Sequence, residues 1–147
     1  METYQDIKTF LDAHESIEGT LTLDRASMEH PSQIANENAD RYVRSLGFAG
    51  LGLQWQDLGK VQAIDLLTKM LHRSLAYKVE MMPLKTAKHV SERFISQFNP
   101  RNSIYLSNGD IAENSASWNS ITKSTMEMAL VVMDEKTIGI VCVEDED

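Results

Sequence analysis

The sequence predicts an α+β fold, with N-terminal and central helices packed on a small, mainly antiparallel C-terminal sheet. Three observations predict it. Apolar residues recur at helical spacing through the first two-thirds of the chain, and they recur at strand spacing or run unbroken through the last third. Two apolar runs also flank Asp134-Glu135-Lys136-Thr137, which has the composition and length of a hairpin loop. With 147 residues and no linker, repeat or composition break, a single domain spanning 1–147 is expected, ending in an acidic tail at 144–147.

Thr3 caps an opening helix with Asp6 three residues on, and Tyr4, Ile7, Phe10 and Leu11 share one face; this helix is expected to end near His14. Gly19-Thr20-Leu21-Thr22-Leu23-Asp24 alternates with a period of two and fits a short strand or an extended loop. Pro31 at a first helical position opens a second helix through Ile34, Ala35, Asn38, Tyr42 and Leu46, stopped by Gly47. Residues 47–59 form a glycine-spaced connector whose apolar content, Trp55 included, implies packing. Val61, Ile64, Leu67, Leu71 and Leu75, with Ala63, Leu66 and Met70 widening the stripe, give the strongest helical pattern and predict a central helix.

After Met82-Pro83, Leu84, Ala87, Val90, Phe94, Ile95 and Phe98 mark a further helix. It ends before Asn99-Pro100, because proline disfavours helical geometry in the residue before it. Ile104-Tyr105-Leu106 fits a short strand, and residues 107–119 read as a polar loop ending near Trp118. The runs 126–133 and 138–143 are apolar on both faces, so at least one strand is expected inside a sheet covered on both sides.

The charge balance excludes some functions. Twenty-two Asp and Glu against 14 Lys and Arg give a net −8, which opposes direct binding to nucleic acid. By thirds the balance is −5 over 1–50, +3 over 51–100 and −6 over 101–147. Glu144-Asp145-Glu146-Asp147 follow a buried-looking strand directly, either as a solubilising guard behind a sticky segment or as a docking patch for a cationic partner. One cysteine rules out an internal disulfide framework and a cysteine-only zinc site, which fits a reducing cytoplasm. Met1-Glu2-Thr3-Tyr4-Gln5-Asp6 has no signal-peptide character, and no run approaches the ~18 apolar residues of a membrane span.

No catalytic constellation stands out. His14, His30, His72 and His89 lie too far apart for a metal pair, so neither metal nor cofactor is expected. His72-Arg73-Ser74-Leu75 has serine where a kinase catalytic loop needs aspartate, and the glycines at 47, 50 and 52 follow a helix rather than a strand. Cys142 shares a strand face with Ile138 and Ile140, where burial raises a thiol's pKa and hides it. An enzyme is not expected. Trp55 and Trp118 either close the core or anchor an interface, with Trp118, between Asp110, Glu113 and the acidic hairpin, the better anchor.

The C-terminal half carries a resemblance. Tyr105-Leu106-Ser107-Asn108, then Ser117-Trp118-Asn119-Ser120-Ile121-Thr122, then two apolar strands closing on Val143-Glu144-Asp145-Glu146-Asp147, resemble the small acidic immunity proteins of bacterial polymorphic-toxin and contact-dependent growth inhibition systems. His72-Arg73-Ser74-Leu75-Ala76-Tyr77 adds to the likeness. The resemblance implies a cytoplasmic, non-enzymatic protein that binds a toxin domain, often a basic nuclease, and occludes it. No contact residue transfers from the resemblance. On electrostatic grounds the candidates are Asp134, Glu135, Glu144, Asp145, Glu146 and Asp147, with Asp110, Glu113 and Trp118 at the margin. A secretion chaperone holding an effector segment and a small hydrolase with a deep pocket are the competing expectations. The two-faced apolar strands leave monomer and homodimer both open.

Overall fold

A computed structural model describes residues 3–113 and 115–146. In chain order its elements are α1 (Tyr4–Asp12), β1 (Thr20–Ser27), α2 (Ala35–Ser45), a single 3-10 turn (Gly52–Gln54), β2 (Gln56–Leu58), α3 (Lys60–His72), α4 (Leu84–Ile95), β3 (Ile104–Ser107), β4 (Gly109–Ile111), β5 (Ala116–Trp118), β6 (Met126–Met133) and β7 (Thr137–Asp145). The fold is α+β. Five strands pair in the order β1-β7-β6-β3-β2, every neighbour antiparallel, and β4 and β5 form a separate antiparallel pair.

The sheet is not confined to the C-terminal third as expected: its two edges, β1 and β2, come from the first 60 residues. The period-two stretch is therefore a strand, and it runs three residues beyond Asp24 because β7 offers a partner along the full length, Thr20↔Glu144 to Ser27↔Thr137. β2 has exposed Gln56 and Asp57 and so carries no apolar signal. Residues 107–119 are not one loop either, since β4 and β5 pair there, Gly109 opposite Trp118. A Cβ at Gly109 would lie 2.0 Å from the Ser117 carbonyl oxygen, so only glycine allows this approach.

Helix ends follow local chemistry. At α1 the capping box forms as expected, with the Asp6 amide donating to Thr3 Oγ1 and the Thr3 amide to Asp6 Oδ2, both at 3.1 Å. α2 starts at Ala35, four residues later than the proline suggests. The entry is held off the helix by Asn38, whose Oδ1 accepts from the Ser32 amide and whose Nδ2 donates to the Ser32 carbonyl, both at 2.8 Å. It stops at Gly47 as expected, where φ is +92°: the Gly47 amide donates to Arg44 O and the Phe48 amide to Val43 O, a Schellman closure. α3 ends at His72 rather than reaching Leu75, and Val61 points to solvent; its buried stripe is Ala63, Leu66, Leu67, Met70 and Leu71.

The long strands are covered on both faces, as their two-sided apolarity required. Met128, Leu130 and Val132 of β6, with Val141 and Val143 of β7, pack against α1, α3 and α4. Ala129, Val131 and Met133, with Ile138, Ile140 and Cys142, pack against α2, Trp55 and Ile121 on the other side. Gly139 lets the first layer close, since a Cβ there would stand 2.9 Å from the Phe98 ring. Trp55 is thus core, 5% exposed, with its indole N–H donating to Asp40 Oδ1 at 2.7 Å.

Candidate functional site

The β1–β7 register decides where the charge lies. Because Thr20 stands opposite Glu144, the acidic approach to β1, Glu15 and Glu18, leaves the sheet at the same end as the acidic exit of β7, Glu144, Asp145 and Glu146. The contact at this end is close: a Cβ on Gly19 would lie 2.1 Å from the Glu144 carbonyl oxygen and 3.4 Å from Asp145 Cα. Two acidic segments far apart in the chain become one acidic edge.

The loop after α3 packs beside that edge. Asp145 Oδ2 accepts from the Ala76 amide at 3.1 Å, and His14 Nε2 donates to the Met81 carbonyl at 2.7 Å. Within the loop Ser74 Oγ accepts from the Val79 amide at 3.0 Å, and the Met81 amide donates to His72 O at 2.8 Å. The backbone is therefore held while two apolar side chains face water, Tyr77 at 64% exposure and Val79 at 45%. A fixed loop presenting an exposed tyrosine next to carboxylates has the chemistry of an interface anchor.

The loop also lines a groove of about 350 Å³, with Lys69, His72, Arg73 and Lys78 among its polar lining and Leu75, Ile111, Ala116 and Met126 among its apolar lining. Glu113 also lines it. The groove adjoins the acidic edge, since Ala76, whose amide bonds Asp145, and Met126, opposite Asp145 in the β6–β7 ladder, both line it.

The sequence-predicted residues do not all meet. Asp134 and Glu135 sit at the β6–β7 turn, whereas Glu144, Asp145 and Glu146 sit at the other end of β7, which at about 3.4 Å per residue is roughly 27 Å away. Asp134 is occupied with the turn: Oδ1 accepts from the Lys136 and Thr137 amides at 2.9 and 2.8 Å, and Oδ2 accepts from the Asn99 amide at 2.9 Å. Partial burial pushes its pKa up, but these three amide donors outweigh it and hold the carboxyl below its ordinary range. Glu135 Oε1 accepts from Asn99 Nδ2 at 3.3 Å. Glu144 and Glu146 accept from Ser124 Oγ and Thr125 Oγ1, both at 2.9 Å. Asp110 is exposed on β4, and Trp118 lies half-buried on β5, packed against the main core rather than standing free in a loop. Asp147 lies outside the described residues.

Sequence reasoning missed Glu15, Glu18, Val79 and the cationic groove. The long-range β1–β7 pairing brings Glu15 and Glu18 to the end of β7, and the groove forms where the end of α3 and its following loop meet β4, β5 and Met126; no local pattern encodes either meeting.

The remaining buried polar groups support the scaffold. Glu127 is fully buried; its Oε2 accepts from the Ile121 amide at 2.9 Å and Asn108 Nδ2 at 3.0 Å, and its Oε1 from the Thr122 amide at 3.0 Å and Thr122 Oγ1 at 2.8 Å. Asn108 Oδ1 in turn accepts from the Ala129 amide at 2.7 Å. Asp40 holds the 47–59 connector, accepting from the Leu51 and Gly52 amides as well as from Trp55. Burial, with smaller contributions from Glu144 and Glu127, pushes the Cys142 thiol far up, so it is no ready nucleophile. Among the described residues no three His, Cys, Asp or Glu side chains converge as a metal site, and no helix is long and apolar enough to cross a membrane.

Compared with family models, with curated proteins and with solved structures, the chain matches none.

Proposed function

We propose that this is an immunity protein, which binds and neutralises a toxin domain of basic surface, such as a nuclease, through the end of the sheet around the 73–81 loop. The observation that carries the reading is the convergence there of Glu15, Glu18, Glu144, Asp145 and Glu146 beside the exposed Tyr77. Carboxylates of this kind steer a cationic partner and compete for its phosphate-binding surface, while an aromatic side chain seated in the partner slows dissociation. In this reading Asp134 and Glu135 belong to the turn at the opposite end and not to the contact. The mechanism is occlusion and uses no bond-making step.

The test first asks whether a large secreted protein with a variable C-terminal domain is encoded beside this gene, and then takes that domain, purified in folded form. Co-expression of the present protein is expected to restore growth of cells making that domain. Glu15→Gln/Glu18→Gln/Glu146→Gln is expected to slow association at low salt roughly tenfold while leaving dissociation near the wild-type rate. Tyr77→Ala is expected to act mainly on dissociation. Failure to protect, or binding only to an unfolded segment of the partner, would overturn the immunity reading and favour a chaperone. Protection with salt-independent association would overturn the acidic-edge mechanism alone.

A further inference from the structure

The groove is lined by Leu75, Ala76 and Lys78 of the 73–81 loop and by Met126, so it adjoins Asp145, and its cations have the opposite sign to the acidic edge. Its volume of about 350 Å³ is within the range of small-molecule sites. Leu75, Ile111 and Met126 give it an apolar lining, and Lys69, Arg73 and Lys78 supply three cations. From the geometry we infer that this groove binds a small amphipathic anion, an organic carboxylate or sulfonate whose apolar body lies on the Leu75–Met126 lining and whose charged head meets the cations.

The cations are not all explained by the scaffold. Lys69 lies in the last turn of α3, where positive charge complements the helix C-terminus, and its Nζ already bonds Asp65 Oδ2 and the Ile111 carbonyl, both at 3.1 Å. Arg73 and Lys78 lie beyond the helix, and the single side-chain bond between them, Arg73 Nη1 to the Lys78 carbonyl at 3.2 Å, holds the guanidinium over the loop. Lys78 Nζ has no hydrogen-bond partner among the described residues. His72 donates from Nδ1 to the Met82 carbonyl at 2.9 Å, which leaves Nε2 unpartnered among the described residues.

Against these charges the groove lining holds one carboxylate, Glu113, and a second, Asp145, borders it with Oδ2 taken up by the Ala76 amide. In a chain of net −8, a concavity with this sign is complementary to an anion, and its apolar lining selects one with a hydrocarbon or aromatic body over inorganic phosphate.

The probe is 1-anilinonaphthalene-8-sulfonate, titrated into the folded protein and read by fluorescence, with the uncharged N-phenyl-1-naphthylamine in parallel. Saturable, one-to-one binding of the sulfonate is expected, displaced by octanoate but not by octanol. Arg73→Gln/Lys78→Gln is expected to weaken the sulfonate about tenfold or more and the neutral probe less than about twofold, since only the anion loses charge-assisted bonds. Arg73→Lys/Lys78→Arg keeps the charge and is expected to bind nearly as the parent, which guards against a folding defect. Non-saturable binding, equal affinity in the charge-removed variant, or equal loss for both probes would each overturn the proposal.

Discussion

Glu127→Ala tests whether a buried carboxylate organises the 119–125 segment. The wild-type side chain is fully buried on the face of β6 that also carries Ala129 and Val131, and it satisfies two backbone amides, Ile121 and Thr122, together with Asn108 Nδ2 and Thr122 Oγ1. Truncation leaves Asn108 Nδ2 with the Asn119 carbonyl at 3.1 Å, and the threonine hydroxyl is free to turn. The two amides have no such alternative. At about 1–3 kcal/mol for each buried donor left unpaired, and with a small cavity added, the loss comes to roughly 3–5 kcal/mol. That is a large share of the ~5–15 kcal/mol that holds a domain folded. Glu127→Gln keeps the shape and one acceptor oxygen but turns an NH₂ toward donors, so about 1–3 kcal/mol is expected. Urea unfolding read by far-UV circular dichroism gives both values, and amide exchange at Ile121 and Thr122 is expected to quicken in the alanine variant. A loss below about 1 kcal/mol, or unchanged exchange at both amides, would refute the idea that the carboxylate holds this segment.

Asp40→Ala unties the Leu51 and Gly52 amides and the Trp55 indole together, and is expected to cost roughly 2–4 kcal/mol and to shift Trp55 emission to the red. Measured in a Trp118→Phe background, an unshifted spectrum with an unchanged urea midpoint would contradict that role. Asp134 titrates below its unfolded value, so its contribution to stability is present above the ordinary carboxylate range and is lost as pH falls through the lower folded value. Asp134→Asn is therefore expected to flatten the acid limb of a stability profile below about pH 4; an acid limb as steep as that of the parent would count against the amide-bound turn.

Much of the fold was legible because much of it is local. The Thr3–Asp6 box and the Gly47 stop depend on residues within one turn of each other, whereas α4 ends at Ile95, short of the Phe98 that the Asn99-Pro100 boundary predicts as part of it. The two-sided apolarity of 126–133 and 138–143 implied a covered sheet without saying what covered it. What stayed hidden is non-local. β2 is too short and polar to announce itself, and β5 is a strand only because β4 stands opposite it. Charge misled in the same way: Asp134 and Glu144 are ten residues apart in sequence, but an extended strand puts them at opposite ends of the molecule, while Glu18 and Glu146 are brought near each other by pairing alone. Helical spacing alone places Val61 on the inward stripe of α3, yet the helix is rotated enough to leave it 81% exposed.

The pairing of β1 with β7 also carries a kinetic consequence. β1 contributes Leu21 and Leu23 to the core, yet among the described residues its one partner strand is β7, more than 100 residues further along the chain. Among the described residues no nearer strand pairs with it, although Lys8 Nζ of α1 donates to the Leu23 carbonyl at 3.3 Å. During synthesis the β1 edge therefore stays without its strand partner until β7 has emerged. Closure of the acidic edge is thereby a late folding event, slow by its long contact order, and any partner that reads that edge recognises only chains that have finished folding.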